Sequence, residues 1–355
     1  MTYPLAVDLL GRLGSEELFF TATTSQLKAQ MGIDSKLFDR SYRDEVLEQS
    51  KRELDFVKDN NIGLYYFTDE EKYPFRLAEC DDAPAMLYGL GESHLNDAHV
   101  ISIVGTRHAT MYGIGFVKEL LAVLSQTCPD IVVVSGLAYG IDVAAHRESL
   151  SHKIPTVGVL AHGLSTIYPQ AHRNIAANMV RENGMLITDY RHTDKVSKWN
   201  FLARNRIVAG LADCTLVVES AEKGGAMVTA RIASGYNRDV FALPGRNTDV
   251  YSRGCNRLIS QNHACLIQTP DDILDFMNWE KKEMTEKESE IFYRPTPDEK
   301  KILDFLTDKG EGFVNRISVE TGIPMHRLMG MLVDMEFKGL IVNYPGGIYK
   351  PRNIK

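Results

Sequence analysis

The chain has 355 residues, of which 44% are hydrophobic and 25% charged, with a formal net charge of −7. That length exceeds one ordinary core, so two or three globular domains are expected. An acidic total argues mildly against a nucleic-acid partner, but phosphate binding depends on local clusters of cations rather than on the sum. The opening MTYPLAVDLLGRLG has no basic segment ahead of a long apolar run, and no uncharged apolar stretch is long enough to span a bilayer. A signal peptide and a membrane span are therefore not expected, and a cytoplasmic location is. Cys80, Cys128, Cys214, Cys255 and Cys265 are odd in number, scattered and without a CxxC pair. They read as reduced core thiols rather than a disulfide frame or a zinc site. The histidines show no paired metal-ligand spacing beyond the weak His146 and His152, so no metal and no cofactor are expected.

Residues 1–60 read as short amphipathic helices over LAVDLLGRL, SQLKAQM and 41–59, with Val46, Leu54, Phe56 and Val57 near a helical period. Residues 61–100 carry the strand-like GLYYF and AMLYGL between polar turns. From 99 to 280, apolar runs alternate with helical sequence: HVISIVG, IVVVSG, IPTVGVLAHG, GMLITDY, DCTLVVES and DVFALPG. Continuous Val/Ile/Leu runs between helices indicate strands buried on both faces, hence a parallel sheet of doubly wound, Rossmann-like α/β type. Residues 281–297 are charged and end in Pro-Thr-Pro, as an exposed linker would. Residues 298–355 give three helices and a Gly-Gly hairpin, the layout of a winged-helix domain.

Five segments carry candidate chemistry, most of them at the carboxyl ends of strands. Gly105-Thr106-Arg107 follows the first buried strand and precedes a helix. A glycine there lets backbone N–H groups face a phosphate, the helix start adds positive charge, and Arg107 offers a bidentate contact. A plain strand-to-helix turn accounts for the spacing equally well. The spacing is neither GxGxxG nor a Walker A loop, which weakens the dinucleotide and ATP readings. Ser135 to Asp142 with His146 could suggest acid–base work, but a capped helix with a hydrogen-bonded histidine is the preferred reading. The run 191–206 holds five cations (Arg191, Lys195, Lys198, Arg204, Arg206) against the single acid Asp194, a net of +4, with Trp199 and Phe201 interleaved. Cations along a phosphate backbone beside rings for stacking are what single-strand binding requires. The competing reading is a solvated loop with its rings in the core, and one of the two rings is expected to pack inward. Lys223-Gly224-Gly225 opens another helix, and Leu243-Pro244-Gly245-Arg246 leads towards Gly254-Cys255-Asn256. Such loops along one sheet edge make a wide groove rather than a closed pocket.

Taken together, VGTR, SGLAYGID with His146, Tyr168-Pro169-Gln170-Ala171-His172-Arg173-Asn174, FLARNRI, VVES with GGAMVTA, and the PGR to GCNRLI ending resemble the DNA-processing protein A (DprA/Smf) family. The likeness covers roughly 65–280 well. What it implies is an extended Rossmann-like domain over 61–280, preceded by a helical domain over 1–60 of SAM or helix-hairpin-helix type and followed by a winged helix over 298–355. It further implies a homodimer that binds single-stranded DNA without catalysis, protects incoming DNA in natural transformation and loads the RecA recombinase. By the same resemblance, Gly105, Thr106, Arg107, Lys198, Phe201, Arg204, Asn205, Arg206, Lys223, Gly224 and Gly225 would contact DNA, with one of the two arginines of the ARNR element structural. Tyr139 stands where relatives often carry lysine, Leu202 where many have proline, and the first Gly-x-Gly turn of residues 1–60 is absent. In the C-terminal third helix, Met325, Leu328, Met329, Met331, Leu332 and Met335 read as core first, with a surplus that points to a protein contact.

Two enzymes remain as alternatives. A nucleoside-monophosphate hydrolase on a related fold would show PGGxGT and a catalytic glutamate, for which Glu219 is the nearest group. An NAD-dependent oxidoreductase would need GxGxxG and an acid at the end of the second strand, where Ser135-Gly136 stand instead.

Overall fold

The computed structural model describes residues 3–92, 95, 96, 98–279, 295–338, 340–344 and 347–351. Two compact units separate between Lys282 and Glu283. The charged stretch read as a linker falls mostly on 280–294, outside the described residues.

Among the described residues, the first unit is organised on one nine-stranded sheet of order β1-β2-β6-β5-β4-β3-β7-β8-β9. Its strands are β1 (Gly63–Tyr66), β2 (Met86–Gly91), β3 (His99–Val104), β4 (Ile131–Ser135), β5 (Thr156–Val159), β6 (Met185–Thr188), β7 (Cys214–Val217), β8 (Asp239–Ala242) and β9 (Cys265–Leu266). From β6 through β9 every neighbouring pair is parallel. β4, β5, β6 and β7 are buried at every residue, as the uninterrupted apolar runs require. The sheet is not wholly parallel: β1 pairs with β2, and β2 with β6, antiparallel. The segment between β1 and β2, residues 67–85, holds the four-residue α5 (Phe75–Ala78).

Helices cover both faces. One face packs α9 (Lys198–Gly210) and α10 (Gly225–Gly235) through Ile207, Val208, Ala226, Ala230 and Ala233. The opposite face packs α6 (Met111–Thr127), α7 (Ile141–Ser151) and α12 (Pro270–Met277) through Val117, Leu121, Leu124, Ile141 and Ile273. α8 (Arg173–Arg181) and α11 (Arg253–Ser260) complete the layer set. β3 is hydrogen-bonded to β4 on one side and β7 on the other. The chain order therefore reverses across β3, and loops leaving β3, β4 and β7 diverge to leave a crevice above the carboxyl ends of the strands.

The N-terminal helices α1 (Tyr3–Leu13), α2 (Glu16–Thr21), α3 (Thr24–Met31) and α4 (Arg40–Asp59) enclose a small core of Leu9, Leu13, Leu27, Met31 and Phe38. The periodicity of 41–59 is only partly realised. Val57 is buried, but Leu54 is exposed, and the other buried positions of α4 are the charged Arg43 and Glu53. Each charge has a partner there. Arg43 donates to the carbonyls of Phe19 (2.6 Å) and Ala22 (2.8 Å), and Glu53 accepts from the His192 backbone N–H at 3.0 Å and lies 2.6 Å from its Nδ1. Four cysteines are buried and Cys265 on β9 is exposed, so the reading of all five as core thiols holds for four. Burial raises the Cys214 thiol well above its ordinary value.

The second unit holds α13 (Pro297–Lys309), β10 (Gly312–Phe313), α14 (Val314–Thr321), α15 (Met325–Phe337), β11 (Ile341–Tyr344) and β12 (Ile348–Pro351). Its three-stranded sheet runs β10-β12-β11, antiparallel throughout. Its core is Ile302, Leu306, Ile317, Leu328, Leu332 and Met335. Gly346 of the hairpin lies outside the described residues. Among the described residues no helix is long and apolar enough to cross a membrane, and no cluster of side chains could hold a metal ion.

Candidate functional site

A groove of about 320 Å³ occupies the crevice at the strand reversal. Gly105, Thr106 and Arg107 form one wall, Gly136 and Ala138 the next, and Gly224 and Gly225 close the far side, with Phe201 and Asn205 reaching in from α9. Residues nearly 120 apart in the chain thus meet because their strands are neighbours.

The loop after β3 is pinned before it reaches the groove. The Thr106 N–H donates to the Glu219 carbonyl at 2.7 Å, and the Thr106 carbonyl accepts from the Ile141 N–H at 3.2 Å. Gly140, at φ 80, lets this approach happen, since a Cβ there would lie 2.1 Å from the Thr106 carbonyl oxygen. Arg107 follows and is exposed. Its guanidinium sits 5.5 Å from the centroid of the Phe201 ring, a cation–π distance, and makes no hydrogen bond or ion pair among the described residues. The guanidinium donors are therefore available to a phosphate.

Two of the helix starts near the groove differ. At α6 the positive end is already satisfied: the Glu219 carboxylate accepts from the Thr110 N–H at 2.8 Å and from its hydroxyl at 2.6 Å. A phosphate at that start would meet a carboxylate, contrary to the contribution expected of the helix following Gly105-Thr106-Arg107. At α10 the cap is Gly224, which makes no side-chain capping bond, and Gly224, Gly225 and Ala226 all line the groove. This start keeps its partial positive charge directed at the groove.

The run 191–206 divides into free and engaged cations. Arg191 pairs with Asp194 at 3.1 Å and also donates to Gln49. Arg204 is buried, donating to the Gly136 carbonyl at 2.7 Å and to the Val159 carbonyl. It is the reason for glycine at 136, where a Cβ would lie 2.4 Å from the guanidinium. Arg206 points elsewhere, bonded to the Asp189 carboxylate and to the Asp82 carbonyl at 2.5 Å, and does not line the groove. Three of the five cations thus hold the scaffold, and the local +4 overstates the charge offered to solvent. Lys195 and Lys198 remain exposed. Lys198 opens α9 behind the Ser197 cap, and Lys223 stands exposed beside the groove, outside its lining. Neither ring of this run packs fully into the core: Trp199 is 79% exposed, and Phe201 is half-buried in the groove against Tyr168, ring centroids 5.6 Å apart.

The acid–base candidates serve the fold. Asp142 is buried, and burial pushes its carboxyl up against the opposing pull of Arg204 and the N–H groups of Ala138 and Gly136. His146 is fully buried, 2.7 Å from the Thr156 hydroxyl, and burial first, then Arg204, pushes it down to about 3. Sequence reading did not find two further elements. Tyr251 lines the groove and stacks on His108 at 5.8 Å, and Tyr168 backs Phe201. The Tyr168-Pro169 pair was visible as a motif, but nothing local ties either tyrosine to its ring partner.

Fold and site together define a doubly wound Rossmann-like protein with an open, glycine-floored groove carrying a free arginine and an aromatic ring. The family model for DNA recombination-mediator protein A matches residues 64–278, and the chain belongs to that family. It is 32% identical over 290 residues to Protein Smf of Escherichia coli strain K12, covering 80% of this chain and 76% of that protein. It is 34% identical over 317 residues to the putative DNA processing protein DprA of Mycobacterium tuberculosis strain H37Rv, covering 82% and 79%. The X-ray structure of DNA processing protein A from Streptococcus pneumoniae aligns with a TM-score of 0.59 at 26% identity, over 76% of this chain and 96% of that one. DNA processing protein A from Helicobacter pylori, whose structure concerns its single-stranded DNA binding mode, aligns with a TM-score of 0.54 at 28% identity, over 61% and 95%.

Proposed function

We propose that the groove binds single-stranded DNA, with Arg107 and the start of α10 meeting phosphates and Phe201 meeting a base. The observation that carries this reading is the unpaired Arg107 guanidinium lying 5.5 Å from the Phe201 ring at the edge of the groove. A charge and a ring side by side match the alternation of phosphate and base along an unpaired strand. A duplex keeps its base faces stacked inside and cannot present them to a ring recessed in a groove. The H. pylori relative, studied for its single-stranded DNA binding mode, supports the same ligand. Lys198 and Lys223, exposed near the groove, add phosphate contacts, while Arg204 and Arg206 act by holding the walls.

The chain works without catalysis in this reading. Neither Glu219, bonded to Thr110, nor the buried His146 lines the groove, and Asp142, which does, is buried and held by the N–H groups of Ala138 and Gly136. As a cytoplasmic homodimer it protects incoming DNA and loads the RecA recombinase during natural transformation and recombination, with the C-terminal unit acting as a winged helix that contacts protein.

Titration of labelled single- and double-stranded oligonucleotides at two salt concentrations tests the binding. Single strands are expected to bind more tightly, with affinity falling as salt rises; equal affinity or a preference for duplex overturns the reading. Mononucleotides are expected to remain intact, and turnover abolished by Glu219→Gln would favour the hydrolase. RecA should nucleate faster on coated single strands when the chain is present.

A further inference from the structure

The surface continues beyond Phe201. Tyr168, edge-on to that ring, also lines a second depression of about 700 Å³, together with Tyr139, Ser165, Gln170, Arg173 and Val196. The two depressions adjoin at two places. Ala138 lines the first and Tyr139 the second; Phe201 lines the first and its ring partner Tyr168 the second. Tyr139 and Tyr168 are each 49% exposed.

Exposed rings singly placed are ordinary. These two face one depression, and Tyr139 is held in position. Its ring meets His172 edge-on at 4.8 Å, and His172 is itself buried, its Nδ1 2.8 Å from the Leu137 carbonyl oxygen. Arg173, the first residue of α8, is exposed and has no hydrogen bond or ion pair among the described residues. No aspartate or glutamate lines the depression, in a chain whose net charge is −7. Two fixed rings and a free guanidinium, without an acid among them, suit a ligand of flat bases joined by phosphates.

We infer that this depression is a second nucleotide subsite, which extends the DNA track past Phe201 onto Tyr139 and Tyr168, with Arg173 on the phosphate between. The inference rests on the proposal that the first groove binds single-stranded DNA. Its distinguishing consequence is length dependence: a short oligonucleotide occupies the first groove alone, and a longer one occupies both.

Oligothymidylates of roughly 4 and roughly 12 nucleotides, titrated against the full chain at low salt, provide the test. Tyr139→Ala is expected to weaken the longer ligand at least about fivefold while leaving the shorter within about twofold. Tyr139→Phe, which keeps the ring, should bind both normally. Arg173→Ala should weaken the longer ligand and reduce the slope of its log–log salt dependence by roughly 0.7. Phe201→Ala should weaken both lengths. If Tyr139→Ala leaves both lengths unchanged, or weakens both equally, the second subsite is refuted while the first groove stands. If the unaltered chain binds neither length, the proposed function itself fails.

Discussion

The carboxyl edge of the large sheet and α15 of the C-terminal unit are both places where a protein of such layout could meet DNA, yet they are furnished in opposite ways. At the sheet edge Arg107 is unpaired beside a ring, and a glycine-started helix directs its N–H groups at the groove. On α15 the exposed positions at four-residue steps are Met325, Met329 and Val333, each 40% or more exposed. Its Arg327 pairs with Asp298 at 3.2 Å, and the adjoining Lys338 pairs with Asp334 at 2.6 Å. The presence of a helix is not enough: affinity for phosphate follows cations that have no partner within the protein. A methionine stripe suits a protein surface better than base edges.

Four experiments sharpen or break that contrast. Arg107→Ala removes a charged donor from the groove and should reduce single-strand affinity by about 2–3 kcal/mol, with a shallower salt dependence; an unchanged affinity would move the site away from this edge. Phe201→Ala should lower affinity by about 1–3 kcal/mol with the salt slope nearly constant, because stacking releases few counterions. A slope change as large as that of Arg107→Ala would contradict the stacking role. The third concerns the scaffold under the groove. The folded chain keeps His146 neutral down to about pH 3, against an ordinary value of 6.5, so an unfolded chain takes up the proton first. The resulting stability is complete above about pH 6.5 and lost as pH falls, about 1–2 kcal/mol between pH 7 and pH 5. Urea unfolding of the unaltered chain and of His146→Gln should show a flatter pH dependence in the variant. The smallest effect is expected on α15, where Met329→Gln should alter single-strand affinity by less than about 0.5 kcal/mol. A loss comparable to that of Phe201→Ala would make the C-terminal unit a second DNA surface.

Much of this architecture was readable in the chain because it rests on local pattern. HVISIV, IVVVS and TLVV are short runs rich in Val, Ile and Leu set between helical segments, the pattern of strands covered on both faces. The glycine turns after them mark where a chain leaves a sheet, so the row of loops along one edge followed directly. The antiparallel β1 and β2 were visible as strands, but their direction in the sheet depends on the strands they pair with, β2 against β6 and β1 against β2. Leu54 follows a helical period and still faces solvent, because the turn beside it uses Glu53 to bind His192 from far along the chain.

The same division applies to the site. Sequence alone determined that cations and rings accumulate between 191 and 206 and that Arg107 follows a glycine turn, since composition and spacing are properties of neighbours in the chain. Only the tertiary structure decided which of those charges are free. Arg206 meets Asp189, Arg204 meets the carbonyls of Gly136 and Val159, and Glu219 meets Thr110, while among the described residues Arg107 stands beside the Phe201 ring without a hydrogen bond or ion pair. An ionised group is neutralised by whatever lies across from it in space, and those partners come from strands and loops that the fold, not the local sequence, brings together.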